Sequence, residues 1–525
     1  MNEPANNTSA DNLFKKGLSA VKYTLIFRSA AQLVGAATTI FLVRALSESD
    51  YGVYNLLYAV IALLGMVFSF GIGNTLQRYM PEYYNRGEFV LANRLYQRAS
   101  SIRLLSNIIT LGLIFYFWET VTPLLKVTAY KNYFVLFSVV ILLNMQRGIL
   151  ENCLASYFLQ KFSQGLSIIF VLIKGVGYGL ALLFQWDLWA VLIIDLLASL
   201  VVFLLLQWVY WVKVPRQGGL QDRFSKEERR RLARYAFYYN FNDVGVGMLD
   251  ANFDTFIIAM FLDPIAVGAY AFCHRINNMA SRMLPVNYLL DVVRPLFIAG
   301  NHDGQSAEIQ RNFQLLLKIT YLFQFPLFVF FLLLSKDLIT VFFGGKFIEF
   351  SPLIIAVACC NLVNAFQLPV GLVAQLRERA EVILYSKIFA LYNLLADLVF
   401  IHYWGIWGAV LATGSAVLFR NLFIWFYVRH EAGFSGTGLF FARSIVGWLV
   451  VIGIGSALGL LTTNALLRLV AGAVLIVAAF ILHVRHIHFN QWEQDTLCKL
   501  ANVNKKIQLF FKSFGLSAIM SAKQE

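Results

Sequence analysis

The fold is decided by stretches such as Leu188-Trp-Ala-Val-Leu-Ile-Ile-Asp195-Leu-Leu-Ala-Ser-Leu-Val-Val-Phe-Leu-Leu-Leu-Gln207-Trp-Val-Tyr-Trp-Val212, in which Asp195 is the single charged residue. A helix rises about 1.5 Å per residue, so this stretch is long enough to cross a hydrocarbon core of about 30 Å. Lipid offers the backbone no hydrogen-bond partners, and a spanning segment must therefore satisfy its own peptide groups as a helix. The stretch predicts a transmembrane α-helix.

Comparable apolar runs recur along nearly the whole chain. The 525 residues are 59% hydrophobic and 14% charged, and their mean hydropathy is +0.66, whereas about a quarter of the residues in an ordinary soluble protein are charged. We predict an all-α polytopic membrane protein with about 14 transmembrane helices. The predicted spans are 22–44, 52–77, 98–119, 132–158, 164–185, 188–212, 235–261, 265–297, 313–335, 351–375, 381–402, 405–428, 440–462 and 466–485. The first run lacks a small-residue cleavage site after it, so we expect a retained helix.

Positive charge in the short loops predicts the orientation. With a cytoplasmic N-terminus, one face holds most of the basic residues, including Lys213, Arg216, Arg223, Lys226, Arg229, Arg230, Arg231 and the C-terminal lysines. The other face holds only Arg44, Lys126, Lys131, Lys336, Lys346 and Arg468. We therefore predict that both termini are cytoplasmic. This loop distribution accounts for the net charge of +14, so we expect no nucleic-acid partner.

Two segments outside the spans carry helical signals. Ser225-Lys-Glu-Glu228 has the spacing of a capping box and precedes the basic stretch that leads into the seventh span. The tail from Trp492 has apolar residues at helical spacing with lysines between them, which predicts a helix on the anionic inner leaflet.

The sequence contains an internal duplication. Leu46-Ser-Glu-Ser-Asp-Tyr-Gly52-Val-Tyr54 is echoed by Leu262-Asp-Pro-Ile-Ala-Val-Gly268-Ala-Tyr270 at one constant offset, and Arg78-Tyr-Met-Pro81 is echoed by Arg294-Pro295. Six helices separate the two copies, so both begin on the same membrane side, and a substrate site is expected between the halves. The predicted parts are an N-lobe (1–212), a basic cytoplasmic linker (213–234), a C-lobe (235–430), spans thirteen and fourteen (431–486), and the cytoplasmic tail (487–525).

The motifs resemble those of a known family. Arg44-Ala-Leu-Ser-Glu-Ser-Asp-Tyr-Gly-Val-Tyr54, followed by Arg78-Tyr-Met-Pro-Glu82, looks like the opening signature of polysaccharide biosynthesis/export proteins, and Gly405-Ile-Trp-Gly408-Ala resembles a later motif of the same family. That family includes the O-antigen-type flippases of the multidrug/oligosaccharidyl-lipid/polysaccharide exporter superfamily. One departure is visible, since relatives often have a proline early in span seven, where this chain has Tyr238-Tyr239.

The resemblance implies a V-shaped pair of six-helix lobes with two further C-terminal helices, working by alternating access. It also implies a polyprenyl-diphosphate-linked oligosaccharide as cargo, moved from the inner to the outer leaflet of a bacterial cytoplasmic membrane. The expected partners are this lipid-linked oligosaccharide, membrane lipid and a polysaccharide polymerase. A drug/cation antiporter of the same superfamily and a membrane polymerase or ligase of the same pathway are the alternatives.

Charged residues inside predicted spans are functional candidates, because they are expensive in lipid unless they pair or line a cavity. A diphosphate needs fixed cations, and the planar fork of arginine can hold two phosphate oxygens. We therefore expect Arg28, Arg275, Arg282 and Lys174 to line the cavity and to contact the diphosphate. The alternative is that these groups pair with acids to hold helices together, or reach toward an interface. Arg147 and Glu151 are four residues apart and are expected to pair with each other.

The acids of span seven have two interpretations. Asp243, Asp250 and Asp254 are seven and four residues apart, which would place them on one face of a continuous helix. They either counter the arginines of span eight, or one of them takes up a proton or sodium ion that couples transport to a gradient. The sequence leaves both open.

Enzymatic chemistry is not predicted. The sequence has no Gly-x-x-x-x-Gly-Lys-Ser/Thr loop, which argues against direct ATP hydrolysis, and its five cysteines form no Cys-x-x-Cys pair. We expect no metal site and no cofactor beyond a coupling ion. The chain is predicted to be a transporter and not an enzyme.

Overall fold

The computed structural model describes residues 30–121, 123, 130–157, 159–215, 223–248, 250–284, 306–377, 379–430, 432–486 and 491–494. Every regular element in these ranges is helical and none is a strand, so the all-α prediction is confirmed. The chain divides into two compact units, Met1–Ala271 and Phe272–Glu525.

Helices of the first unit are α1 (Ala30–Ala45), α2 (Glu48–Val67), α3 (Ile72–Asn85), α4 (Phe89–Tyr116), α5 (Trp118–Val121), α6 (Lys131–Ser156), α7 (Gln160–Leu183), α8 (Leu188–Lys213), α9 (Lys226–Gly247) and α10 (Ala251–Phe261). Helix α11 (Pro264–Met283) crosses the boundary of the units. The second unit continues with α12 (Ser306–Phe343), α13 (Ser351–Asn364), α14 (Gln367–Leu376), α15 (Ala380–Tyr385), α16 (Ile388–Trp404), α17 (Ile406–Val428), α18 (Gly438–Leu461) and α19 (Ala465–His486).

Across the described ranges, 11 helical segments are long and apolar enough to cross a membrane, and Ala30–Ala45 and Ala251–Phe261 are shorter apolar helices. The total of about 14 spans stays a prediction. Helices α9 and α10 pack on α2 and α3 within the first unit, and the predicted boundaries of the lobes and the linker stay a prediction. The tail from Trp492 lies outside the described residues except at 491–494, which are helical.

Five predicted spans are interrupted within the described residues, so the sequence prediction of continuous helices was wrong for them. Phe117 separates α4 from α5 in the span 98–119, and residues 386–387 separate α15 from α16 in the span 381–402. The span 52–77 is broken between α2 and α3, where Phe70 and Gly71 have φ angles of 48° and 59°. A residue with positive φ cannot continue a right-handed helix. The span 235–261 is broken between α9 and α10, and the span 351–375 between α13 and α14. Asp250 begins α10 by accepting the backbone N–H of Asn252 at 2.9 Å.

In the first unit, the backbones of α2 and α11 lie in close contact. Small residues are favoured at helix contacts in lipid, because they let backbones approach closely. A Cβ on Gly52 would lie 1.7 Å from the carbonyl oxygen of Pro264, and one on Gly268 would lie 3.1 Å from the Cα of Gly52. The two duplicated glycines therefore meet each other where α2 and α11 begin.

Ser225 and Glu228 form the predicted capping box at the start of α9, with reciprocal hydrogen bonds of 2.8 and 3.0 Å.

The second unit is organised around α12. Its residues Leu315, Ile319 and Phe323 share a buried cluster with Trp448 of α18 and Phe480 of α19. The helix spans 38 residues, which corresponds to about 57 Å and exceeds the hydrocarbon thickness.

The second unit also contains a buried ion pair. Lys318 of α12 donates to Glu493 at 2.7 Å, and both side chains are buried.

A tight turn joins α16 to α17. Gly405 has φ 56° and ψ −139° in this turn, and a Cβ on Gly408 would lie 2.0 Å from the carbonyl oxygen of Phe400. The Gly405-x-x-Gly408 motif is therefore required by a backbone turn and a close approach.

We predict that Gly52→Ala destabilises the protein, because its new Cβ collides with the backbone of Pro264 and must push α2 away from α11. The expected loss is about 1–3 kcal/mol of unfolding free energy. Thermal unfolding of the purified protein in detergent measures it. Gly112→Ala in α4 is the matched control, because its Cβ meets no atom within 4 Å. Equal melting temperatures for the two variants would contradict the close contact.

Candidate functional site

A buried charged cluster joins α2, α7 and α8 in the first unit. The Lys174 ammonium lies 2.9 Å from Asp195 Oδ1, and their side chains are 12% and 1% exposed. Tyr54 and Tyr58 donate to Asp195 Oδ2 at 3.0 and 2.8 Å, and Tyr178 donates to Oδ1. The carboxylate is therefore compensated by one cation and three hydroxyl donors. Such complete compensation is what permits a charge pair inside an apolar bundle.

This geometry bears on the prediction for Lys174. The ammonium also lies within 3.3 and 3.4 Å of the Tyr58 and Tyr54 hydroxyl oxygens. The structure thus shows the ion pairing that the sequence left open as an alternative, and contact between Lys174 and a cargo stays a prediction. The sequence placed Asp195 in the span six helix without joining it to Lys174.

A second polar cluster surrounds the break between α2 and α3. Asn74 donates to both carboxylate oxygens of Asp243 at 3.0 and 3.1 Å. Ser69 donates to Asn240 at 2.7 Å and lies 3.3 Å from Asp243 Oδ2. The break thus places a carboxylate, two amides and a hydroxyl together at a point where the helix leaves backbone groups unpaired.

A buried arginine stabilises the same break. Arg103 of α4 is 8% exposed and donates to the carbonyl oxygens of Phe68 at 2.5 Å and Gly65 at 2.9 Å. These carbonyls lie at the end of α2, where no further turn of helix provides N–H groups to donate to them. Arg103 was not among the predicted site residues, because its partners are backbone carbonyls that only the helix break exposes.

The other two predicted acids have separate roles. Asp254 is buried in α10 and accepts the Tyr270 hydroxyl at 2.5 Å, whereas Asp250 is exposed and caps α10. The expectation that Asp243, Asp250 and Asp254 share a face of one helix was wrong, because the chain leaves the helix between Gly247 and Ala251. Ion coupling by any of them stays a prediction.

The predicted arginines are placed as follows. Arg275 is half-buried and Arg282 is exposed, both on α11 and seven residues apart, so two turns separate them on one side of the helix. Arg28 lies outside the described residues. Arg147 and Glu151 form the predicted pair at 3.4 Å. The structure brings Arg275 and Arg282 onto one helix and leaves their contact with a diphosphate as a prediction.

The second unit contains another buried arginine, which was not among the predicted site residues. Arg420 of α17 is 8% exposed and donates to Asn364 at 2.8 Å and to Gln367 at 2.7 Å. Asn364 ends α13 and Gln367 begins α14, so this guanidinium joins the two sides of a helix break. Among the described residues, no group of three or more His, Cys, Asp or Glu side chains could hold a metal ion.

Residues 41–352 match the model of a family described as polysaccharide biosynthesis protein. The chain belongs to the polysaccharide biosynthesis protein family. This confirms the resemblance that the motifs around Tyr54 and Arg78 indicated.

Two relatives align with different fractions of the chain. Over 427 residues the chain is 23% identical to the probable low-salt glycan biosynthesis flippase Agl15 of Haloferax volcanii, covering 81% of this chain and 84% of that protein. Over 152 residues it is 27% identical to the teichuronic acid biosynthesis protein TuaB of Bacillus subtilis, covering 28% of this chain and 31% of TuaB.

Solved structures establish the fold. The lipid II flippase MurJ in an inward closed conformation matches 87% of this chain and 98% of its own length, with 15% identity and a TM-score of 0.64. An inward-facing multidrug resistance MATE family transporter of the MOP superfamily matches 78% of this chain and 98% of its own length, with 12% identity and a TM-score of 0.63. This polysaccharide biosynthesis protein therefore has the MurJ/MATE-like fold of helical membrane transporters.

The buried pair gives a stability prediction. Lys174→Met leaves the Asp195 carboxylate buried without its cation, which is expected to cost about 3–5 kcal/mol of unfolding free energy. The double variant Lys174→Met/Asp195→Asn removes both charges and should lose less than Lys174→Met alone. Thermal melting in detergent distinguishes them.

A matched control is available in the same unit. Lys131 pairs with Glu119 at 3.8 Å, and both side chains are largely exposed, so Lys131→Met should change stability by about 0–1 kcal/mol. If Lys174→Met/Asp195→Asn were less stable than Lys174→Met, the stability of the site would not depend on the two charges neutralising each other.

Proposed function

We propose that this protein is a flippase for a polyprenyl-diphosphate-linked oligosaccharide, which it moves from the inner to the outer leaflet for surface polysaccharide assembly. The observation that carries the proposal is the family match together with the alignment to the flippase Agl15 over most of both chains. The MurJ-like fold is compatible with this cargo class. These relatives are transporters or biosynthesis proteins, and we infer a transporter and not a polymerase or ligase.

The charge of the cargo gives the arginines their role in this proposal. A diphosphate must exchange its hydration for fixed donors, and arginine provides two parallel N–H groups for that purpose. Arg275 and Arg282 present such donors along one side of α11, and Arg28 and Lys174 are the further proposed cationic contacts. We propose transport by alternating access through a cationic central cavity.

The helix breaks place polar groups where a transported substrate or a coupling ion could bind. Discontinuous helices inside transporters expose backbone and polar side chains where a substrate or ion binds. Asp243 contacts the break between α2 and α3, and Asp254 is buried just after the break between α9 and α10. We therefore propose proton or sodium coupling through one of these acids. The proposed location is a bacterial cytoplasmic membrane with both termini cytoplasmic, where a polysaccharide polymerase would use the flipped product.

A drug/cation antiporter is the second candidate. The TM-scores of 0.64 for MurJ and 0.63 for the MATE transporter are nearly equal, so the fold does not separate the two cargos. The cations of the proposed cavity favour an anionic cargo over a cationic drug, because like charges repel.

Complementation of a flippase-null bacterial strain tests the proposed function. The wild-type chain is expected to restore surface polysaccharide, whereas Arg28→Ala and Arg275→Ala reduce export at least tenfold and let lipid-linked precursor accumulate. A tenfold loss corresponds to about 1.4 kcal/mol, which is modest for one charge-assisted contact.

Arg485→Ala is the matched control, because Arg485 is exposed near the end of α19 and has no proposed cargo contact. Normal export by well-expressed Arg28→Ala and Arg275→Ala variants would remove these arginines from the binding site. Failure of the wild-type chain together with a gain of drug resistance would favour the antiporter.

A further inference from the structure

A second candidate binding site lies between α3 and α9 within the first unit. A cavity of about 640 Å³ is lined by Tyr79 of α3 and by residues of α9, namely Glu227, Arg230, Arg231, Arg234, Tyr235, Tyr238 and Tyr239. From the sequence, this part of α9 was predicted only to be a basic stretch leading into span seven. Its predicted side is cytoplasmic, which is the side from which the proposed cargo is loaded.

Glu82 of α3 holds one wall of the cavity in place. Its carboxylate accepts from Arg231 at 3.1 and 3.3 Å, from Arg78 at 3.1 Å and from Arg86 at 2.8 Å. The hydrogen bond to Glu82 raises the pKa of Arg231 above its usual range. One acid thus fixes three guanidinium groups, and the surface around it keeps an excess of positive charge.

Tyrosine rings form the other wall. Tyr235 and Tyr239 stack with their centroids 4.4 Å apart and their planes at 30°, and Tyr79 meets Tyr235 edge-on at 5.2 Å. Tyr238 is 61% exposed. A tyrosine ring packs its face against apolar C–H groups while its hydroxyl stays available for hydrogen bonds. These properties suit the C–H faces and the hydroxyl groups of a sugar ring.

Two arginines of the cavity form no ion pair. Arg230 and Arg234 are exposed, and neither forms an ion pair with another residue in the part of the chain that the structure describes. Arg234 lies over the Tyr238 ring at 5.9 Å, whereas Arg231 is paired with Glu82 and lies over the Tyr79 ring at 4.8 Å. Arg230 and Arg234 can therefore bind an added phosphate without breaking an existing ion pair.

We propose that this cavity captures the sugar-diphosphate head group of the lipid-linked cargo before translocation, with Arg230 and Arg234 on the phosphates and Tyr238 against the first sugar. This inference rests on the proposed function and adds a loading site to it. An anionic phospholipid would share the phosphate chemistry, but it would leave the tyrosine wall without a role. The combination of cations with four tyrosines favours a phosphorylated saccharide.

Binding measurements test the proposal on the full chain in phosphatidylcholine nanodiscs. The probes are farnesyl-diphosphate-linked N-acetylglucosamine and farnesyl diphosphate without sugar. We expect Arg230→Gln/Arg234→Gln to raise Kd for both probes by about tenfold or more. Tyr238→Ala should raise Kd only for the sugar-bearing probe, by about threefold to tenfold. Arg223→Gln/Lys226→Gln removes the same charge from residues that do not line the cavity and should leave both Kd values within about twofold.

Two outcomes would overturn the loading site. The first is unchanged binding of both probes by Arg230→Gln/Arg234→Gln; if this variant also binds phosphatidylglycerol vesicles less well, the surface is assigned to phospholipid. The second is an equal loss of probe binding in the Arg223→Gln/Lys226→Gln control.

Complementation separates the failure of this inference from the failure of the proposed function. If the wild-type chain restores export while Arg230→Gln/Arg234→Gln binds the probes and exports normally, only the loading site is refuted. If the wild-type chain neither binds the sugar-bearing probe nor restores export, both are refuted.

Discussion

A charge or an unpaired backbone group inside a bilayer has no water to bind, so it needs a polar partner within the protein. Asp195 meets this demand with Lys174 and three tyrosines. Arg103 and Arg420 meet it differently, since each is placed where a spanning helix is interrupted and donates to groups at the break. The interruptions and the buried arginines therefore depend on one another, and together they permit polar groups among apolar helices.

The duplicated motif gains a physical meaning from the contact of its two copies. Gly52 and Gly268 occupy equivalent places in the repeat and lie against each other, so both must lack a side chain. Two residues further along, Tyr54 and Tyr270 each donate to a buried aspartate, Asp195 and Asp254 respectively. One short motif thus provides a close helix contact and a polar anchor in both copies.

Composition and apolar run length were sufficient to predict an all-α membrane protein, because lipid leaves the backbone little choice. The family followed from motifs whose glycines are required by close contacts, as at Gly52 and Gly408. Helix breaks could not be predicted from hydropathy, since a break needs partners from distant parts of the chain, as Arg103 shows. The pairing of Lys174 with Asp195 was missed for the same reason, and the proposed face of Asp243, Asp250 and Asp254 assumed a continuous helix that the chain does not form.

Translocation of a lipid-linked saccharide is the central claim, and reconstitution tests it most directly. The purified chain would be placed in liposomes that contain a polyprenyl-diphosphate-linked saccharide, and a proton or sodium gradient would be imposed. Binding of a soluble lectin would measure how fast the sugar reaches the opposite leaflet. The account predicts that the wild-type chain accelerates this appearance over protein-free liposomes and that Arg275→Ala reduces the acceleration at least tenfold. The account would be contradicted if the sugar appeared at equal rates with and without the protein while the same preparations exported a cationic dye.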